Sequence, residues 1–542
     1  MPYRAPNVDN FSHARWLRQG FVLREGFREY LETMTGDILR AEGRRPRRDT
    51  VTKIRNTLNV VLANLFQTHL VDFNRYVIIP LNSNPYRSGP YNPQRLDLRN
   101  VRSVVRFLHQ QEPSYIEHRG GNFDHLANIG HPTRFRPTER LIRELETVAL
   151  DAQPEAHINN EPPRLTMNTL ENNPHSPWAS LLFEEHEAPS VRLRAERQGE
   201  GGPRPFIDFP PTAETRAMEE RLERINGFLN DHWIDLLIPD DDFRQLTGTP
   251  DEARDEFNDP KPHRREIDLF FRRKLYRVFN NGTFENGGRF YGGWWQGIPG
   301  RYRKFLTING YTTAELDYSN MQIAMLYARE GRQLEGDAYA VEGVPQEYRG
   351  LLKKTLFKII NARGHIRAPL VASRPPGWDW RTLLEALEQR HQPIAAYFRS
   401  GIGIQLQRLD SDIAERVMIR MRADGNLALP VHDSFIVMDG QQDALREAMS
   451  GAYRDIMGAN IEIAADETLF PQLPHDQGLV RALGFDNFER YADAAQNAGA
   501  LDYEDHITNL EMQPAYEAYR QRRLDFIRIQ GEDWGWRHQF LR

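Results

Sequence analysis

Apolar positions recur at helix spacing over residues 49–72, where Leu58, Val61, Leu62 and Leu65 fall on one face. Residues 15–40, 101–111 and 138–150 carry the same period and predict three more helices. Between them, 75–81 reads as a strand and 82–95 as a loop rich in Asn, Pro and Gly. Residues 151–212 are loop-like and Pro-rich, and a Gly-Glu-Gly-Gly-Pro-Arg-Pro run near their end predicts a linker, with a domain boundary at 200–212. Beyond it, 213–237 and 264–279 read as amphipathic helices. The second has a basic side made of Arg264, Arg265, Arg272, Arg273, Lys274 and Arg277, suited to contacting a phosphate backbone or simply to facing water. A short strand over 311–316 then hands over to a helical run over 321–327. The apolar runs 427–429 and 435–437 flank His432-Asp433-Ser434, the pattern of a β-hairpin with a polar tip. A helix over 443–457, a strand over 461–463 and a mostly helical tail over 477–542, ending in Trp534-Gly535-Trp536-Arg537, complete the reading.

Length and composition narrow the class. At 542 residues the chain exceeds one ordinary core and should divide into two or three domains. A 39% hydrophobic share with 11% aromatics fits a globular protein, and no apolar run approaches the roughly 18–20 residues of a membrane span. The first twenty residues hold no apolar signal core, and cysteine is absent, so a cytoplasmic setting is the expectation. Net charge is −6, which confines any nucleic-acid footprint to a local groove. Only seven of the 70 basic residues are lysine, and three of the seven, Lys353, Lys354 and Lys358, share one short stretch.

Two aspartates carry the candidate chemistry. Asp317 sits where strand passes into helix, and Asp433 at the hairpin tip. Taken singly, each has a structural reading, as a helix N-cap and a turn residue. Together they suit Mg²⁺, which takes one or two carboxylates plus waters and substrate phosphates; a pair of such ions clamps the attacking and leaving oxygens of a phosphoryl displacement. Arg349, Lys353 and Phe357 recur every four residues and so line one helix face, two cations followed by a ring, which suits a triphosphate followed by a base. A surface helix with a buried Phe would give the same spacing.

The order of these landmarks resembles the family-A (DNA polymerase I-like) nucleic-acid polymerases. The resemblance runs through Gly287-Gly288-Arg289-Phe290, Trp295-Gln296-Gly297-Ile298-Pro299, Asp317-Tyr318-Ser319, the Arg349/Lys353/Phe357 row and Val431-His432-Asp433, about a quarter of the chain. It implies an α+β right-hand fold of palm, fingers and thumb. By the same resemblance Asp317, Asp433 and the Tyr318 carbonyl hold two Mg²⁺ ions, and Arg349, Lys353 and Phe357 bind the nucleoside triphosphate. Arg289, Arg399, Gln407 and His432 then contact primer-template. Three departures concern the sugar and the second metal ligand: Gln322 stands where the DNA-synthesising members carry Glu, Asn361-Ala362 where they carry Tyr-Gly, and Ser434 where Glu usually follows the aspartate. His-Asp-Ser is similar to the single-subunit RNA polymerases.

The expected layout is an N-terminal domain of unknown role at 1–200, without a recognisable exonuclease and open to an accessory protein, and a linker at 201–212. A thumb-like helical region follows at 213–285, palm at 286–330, compact fingers at 331–399, palm again at 400–475 and a tail at 476–542. The expected activity is a DNA polymerase extending a primer 3′-OH with dNTPs. The alternatives are an RNA polymerase or primase-like enzyme using rNTPs, and a silent nucleic-acid-binding scaffold. Phage, mobile-element and repair settings all remain open.

Overall fold

Short strands paired between long helices gather the apolar residues into two cores. The computed structural model describes residues 14–43, 47–71, 73, 75–82, 84–120, 122–124, 129–131, 133–151, 179–186, 188–197, 204–238, 246, 273–465 and 519–526. The first core runs from Phe21 to Phe183. It comprises β1 (Arg15–Trp16), β2 (Phe21–Leu23), α1 (Arg28–Glu42), α2 (Arg48–Val71), β3 (Val77–Ile78), α3 (Leu98–Gln110), β4 (Ile116–Arg119), β5 (Arg134–Pro137), α4 (Glu139–Asp151) and β6 (Phe183–Glu185). Strands β1-β3-β5-β4 form one sheet, and β2 pairs with β6. Helix α2 buries Leu58, Val61, Leu62 and Leu65 as its period predicts. The single helix expected over 15–40 is corrected: two strands precede α1. Phe21, Val22 and Leu23 are all buried, and the Asn59 amide bonds both backbone groups of Leu23, so this run is a strand buried on both faces.

The second core begins at Val191, ahead of the expected 200–212 boundary. Strand β7 (Val191–Arg194) pairs in parallel with β10 (Tyr276–Asn280), in a sheet ordered β8-β7-β10-β11 with β8 (Phe206–Ile207) and β11 (Thr283–Tyr291). Helix α5 (Ala213–Asn230) starts at a capping box between Thr212 and Thr215 and ends seven residues before the expected 237, where β9 (Ile234–Leu236) takes over. The helix expected over 264–279 is also corrected. Residues 264–272 lie outside the described residues, and the remainder enters β10. Arg273 and Arg277 are buried, Arg273 donating to the Leu229 and His232 carbonyls and Arg277 to Ser411, Asp412 and Glu415. They tie elements together and face no solvent groove.

The main elements that follow are β12 (Leu306–Ile308), β13 (Tyr311–Tyr318), α6 (Met321–Arg329), α7 (Arg349–Asn361), α8 (Trp380–Arg390), α9 (Gly403–Ala423), β14 (Leu429–Val431), β15 (Ser434–Met438), α10 (Gln442–Met457) and β16 (Ile463–Ala465). The architecture is α+β. Its main sheet has the order β9-β12-β13-β15-β14. One edge of β13 is taken by β15, and the other first by β12 and then by β16. The loop expected over 363–380 contains one short 3-10 turn, Val371–Ser373. Of the tail only 519–526 is described, and it is helical; Trp534 to Arg537 lies outside the described residues. No described helix is long and apolar enough to cross a membrane.

Candidate active site

Alternation along β13 decides which side chains the site receives. Leu316 and Tyr318 are buried, while Glu315 and Asp317 are half-buried on the opposite face. The Tyr318 ring is in the core, its hydroxyl donating to the Met449 carbonyl at 2.7 Å, so only its backbone is available to a ligand. In β14 and β15, Val431 pairs with Ser434 across a two-residue loop, His432-Asp433. His432 there has φ +59°, a left-handed conformation that costs a non-glycine residue about 1–2 kcal/mol.

The hairpin and β13 meet in register. Asp317 lies opposite Ser434, and the Tyr318 N–H donates to the Asp433 carbonyl at 3.3 Å. The two aspartates, more than a hundred residues apart in sequence, are therefore neighbours, Asp317 on β13 and Asp433 in the loop that leads into β15. Among the described residues no group of three or more Asp, Glu, His or Cys converges as a metal cluster. Two carboxylates and a backbone carbonyl, all hard oxygens at a half-exposed strand end, fit Mg²⁺ completed by waters and phosphate oxygens.

The row on α7 forms as its spacing predicts: Arg349 is half-exposed, Lys353 exposed and Phe357 53% exposed, while Leu352, Leu356, Ile359 and Ile360 are buried behind them. Phe357 is thus on the solvent face, the opposite of a buried Phe. Tyr339, which the sequence did not single out, joins row and carboxylates. The Arg349 guanidinium lies 4.9 Å and the Lys353 ammonium 5.9 Å from its ring centroid. Burial pushes its hydroxyl up to about 12; Arg349 pulls it back, and the charges of Asp337, Asp433 and Asp317 add to the rise. One phenol therefore stands within electrostatic reach of both catalytic candidates and of both cations.

Arg349 is held by Asp337 through two bonds, 2.7 and 3.1 Å, and this contact keeps the Asp337 carboxyl below the usual range. The segment carrying Asp337 and Tyr339 is fixed from behind by buried His391. Its Nε2 donates to the Ala338 carbonyl at 2.8 Å and its Nδ1 accepts from the Tyr327 hydroxyl at 3.1 Å. Burial lowers the His391 pKa and favours this neutral form.

Gln322, at the start of α6, accepts from the Asn361 amide at the end of α7 at 3.2 Å, so two of the departures from the family pattern touch each other. The Gln322 Nε2 is buried with no partner among the described residues. Arg289 does not project freely. Its Nε donates to Asp410 of α9 at 2.7 Å, and Asp410 is itself buried. Burial raises the Asp410 pKa to about 6 against the pull of Arg289, with the Asp433 charge adding to the rise. Arg289, Asp410 and His432 line one small cavity together with Gln296 and Ser411. Gln407 is half-buried on the same helix. Arg399, with φ +58°, forms an ion pair with Glu388, and its N–H donates to the Ile359 carbonyl at 2.9 Å, beside the end of α7.

Glu315 was also missed. It accepts from the Ser434 hydroxyl and pairs with Arg303 at 2.7 Å. Its signal was only its place two residues before Asp317 on the same strand face.

No protein-family model matches the chain, and no curated protein sequence does. A solved structure described as the POL domain of Pol1 from M. smegmatis in complex with DNA primer-template and dNTP is similar to it at 14% identity, with a TM-score of 0.26. The similarity covers 35% of this chain and 47% of that one, so the chain spans about half of that polypeptide. At that TM-score the likeness decides neither fold nor function.

Proposed function

We propose that the protein is a template-directed nucleotidyltransferase that extends a primer 3′-OH with dNTPs. The observation that carries the reading is that Asp317, opposite Ser434 on β13, and Asp433, in the loop that β13 holds through the Tyr318 N–H, come together from distant parts of the chain, while Tyr339, beside Arg349 and Lys353, feels the charge of both. In this reading the sheet around β13 is the palm, and α7 with α8 the fingers.

Asp317, Asp433 and the Tyr318 carbonyl would hold two Mg²⁺ ions, whose chemistry is to acidify the 3′-OH and offset charge on the triphosphate. The 3′-oxygen bonds to the α-phosphorus as the bond to pyrophosphate breaks, and its proton passes to solvent. Arg349 and Lys353 orient the triphosphate and offset the charge that develops on it, and Lys353 supplies a proton to the leaving pyrophosphate. Phe357, already exposed, stacks near the incoming base. Arg289 and His432 border the place of the primer end, with Gln407 and Arg399 along the template and primer. Positioning and charge supply most of the rate. Asp317→Asn and Asp433→Asn should each abolish incorporation in a primer-extension assay while primer-template affinity stays within about two-fold. Retained incorporation would refute the assignment, and loss of Mg²⁺-dependent triphosphate binding in Asp433→Ala would argue against a silent scaffold.

A second reading, use of rNTPs, is favoured by the Gln322–Asn361 contact. An amide pair with a buried donor left over can donate to a 2′-hydroxyl oxygen, a bond that a carboxylate at 322, which only accepts, cannot make. Side-by-side extension with dNTPs and rNTPs separates the readings. Gln322→Glu should shift usage toward dNTPs by about ten-fold, and a strong rNTP preference in the wild type would establish ribonucleotides as the substrate.

A further inference from the structure

Strand pairing and the Tyr318 N–H bond to the Asp433 carbonyl hold the His432-Asp433 loop against β13, and that loop contains a residue in a costly conformation. A side-chain contact adds to them one residue on. Ser434, buried and opposite Asp317, has one hydroxyl proton and two acceptors in reach: the Val431 carbonyl at 3.1 Å and the Glu315 carboxylate. The bond to the charged acceptor is the stronger. Glu315 shares the face of Asp317 on β13, and its side chain is 13% exposed. A carboxylate so placed needs compensation, and Arg303 supplies it, with Nη1 2.7 Å from Glu315 Oε1 and Nε 3.2 Å from the Ile298 carbonyl. The chain Arg303–Glu315–Ser434 thus runs from the segment before β12, across β13, to the first residue of β15, beside Asp433.

We propose that Glu315 is a positioning residue for the Asp317/Asp433 pair: through Ser434 it fixes the hairpin tip so that both carboxylates address the same divalent cations. Its kinetic consequences rest on the nucleotidyltransferase reading above, and its cation-binding consequence can be read without them. Glu315 keeps its own bonds to Arg303 and Ser434 and is no cation ligand. Losing it loosens the geometry of the pair without removing a ligand.

The test uses the full chain and four proteins: wild type, Glu315→Gln, Ser434→Ala and Ser434→Thr. Ser434→Ala leaves the Glu315–Arg303 pair intact and removes only the link to the hairpin; Ser434→Thr restores the hydroxyl. The first measurement is the rise in thermal midpoint on titration with Mn²⁺ or Mg²⁺, without nucleotide. The second is the cation concentration for half-maximal primer extension, with the KM for primer-template measured alongside. Glu315→Gln and Ser434→Ala should each need about five-fold more cation or greater in both measurements, with primer-template KM unchanged and Ser434→Thr close to wild type. If Glu315→Gln does not fold, the two Ser434 variants carry the test. Midpoints lowered in cation-free buffer with an unchanged cation requirement would show a purely structural residue and overturn the proposal, as would a wild type whose midpoint ignores both cations. If the wild type binds cation but incorporates no nucleotide, the nucleotidyltransferase reading fails, while the cation shift of Ser434→Ala still decides for or against Glu315.

Discussion

Asp410 is the side chain whose surroundings ask most of its charge. It is buried on α9, and its carboxyl is pushed up to about 6 from an ordinary 3.8, mainly by loss of water, although Arg289 lies on it. Between those two pH values the folded protein holds a proton that the unfolded chain has released. At this position, then, stability rises as pH falls through the interval, and the cost of the buried charge returns above it. Asp410→Asn keeps the shape and removes the titration. The difference in thermal midpoint, wild type minus variant, should move in favour of the wild type as pH is lowered from about 7 to about 4.5; a difference flat in pH would show that Asp410 titrates as an ordinary carboxyl. A neighbouring charge that can be discharged near pH 6 also bears on Arg289, whose guanidinium borders the place assigned to the primer end. The sequence contained Asp410 in plain view, but its environment is made by Arg289 and Asp433, far away in the chain, and no local spacing reveals that.

Among the elements, β11 and α9 pack against each other at Gly288. Its φ is +85°, and an added Cβ would lie 2.8 Å from both a Phe279 ring carbon and Ser411 Oγ, and 3.1 Å from Arg277 Nη2. Phe279 and Arg277 are fully buried, so they have little room to give. Gly288→Ala should therefore destabilise the fold by about 2–4 kcal/mol, from backbone conformation and overpacking together, and displace Arg289 next to it. Gly227→Ala supplies the contrast. It sits inside α5 with nothing within 4 Å of the added carbon, and should stabilise by about 0.5–1 kcal/mol. Denaturant unfolding of the two variants checks both signs. The same elements mark what was legible in the sequence. The β13-to-α6 junction and the 429–438 hairpin each have a pattern confined to a few residues and were located by it; the α7 row was singled out by its four-residue spacing together with the family resemblance and its place between the two aspartates. The basic run through Arg273 and Arg277 has a period too, but period does not distinguish a solvated face from one that closes onto α9, and there the expectation of a surface helix failed. Tyr339, Asp337 and Glu315 were not legible because their partners come from other elements.

At the scale of the whole molecule, the segment 519–526 is joined to the edge of the main sheet by a buried ion pair. Asp235, on edge strand β9, is fully buried and accepts two bonds of 2.9 Å from the Arg522 guanidinium, and a third of 3.1 Å from the Trp233 indole. The Trp233 and Phe526 rings lie 5.1 Å apart alongside, and the Tyr519 hydroxyl donates to Thr307 of β12 at 3.3 Å. A segment more than two hundred residues after β12 thus covers the face of the sheet where Asp235 and Thr307 stand side by side, opposite the one on which Ile234 and Leu236 enter the core, and adds apolar contact there. Because the pair is buried, losing one partner is worse than losing both. Arg522→Leu should cost about 3–5 kcal/mol by stranding the Asp235 carboxylate, whereas Arg522→Leu combined with Asp235→Leu should recover a large part of that loss. Chemical denaturation of the three proteins measures it, and equal costs for the single and double variants would mean that the carboxylate finds water once Arg522 is gone. Since β9 pairs with β12 and β12 with β13, the same single variant should also weaken primer extension, although every residue assigned to the active site is untouched. An Arg522→Leu protein with normal extension would show that the site strand is held by β15 and β16 alone.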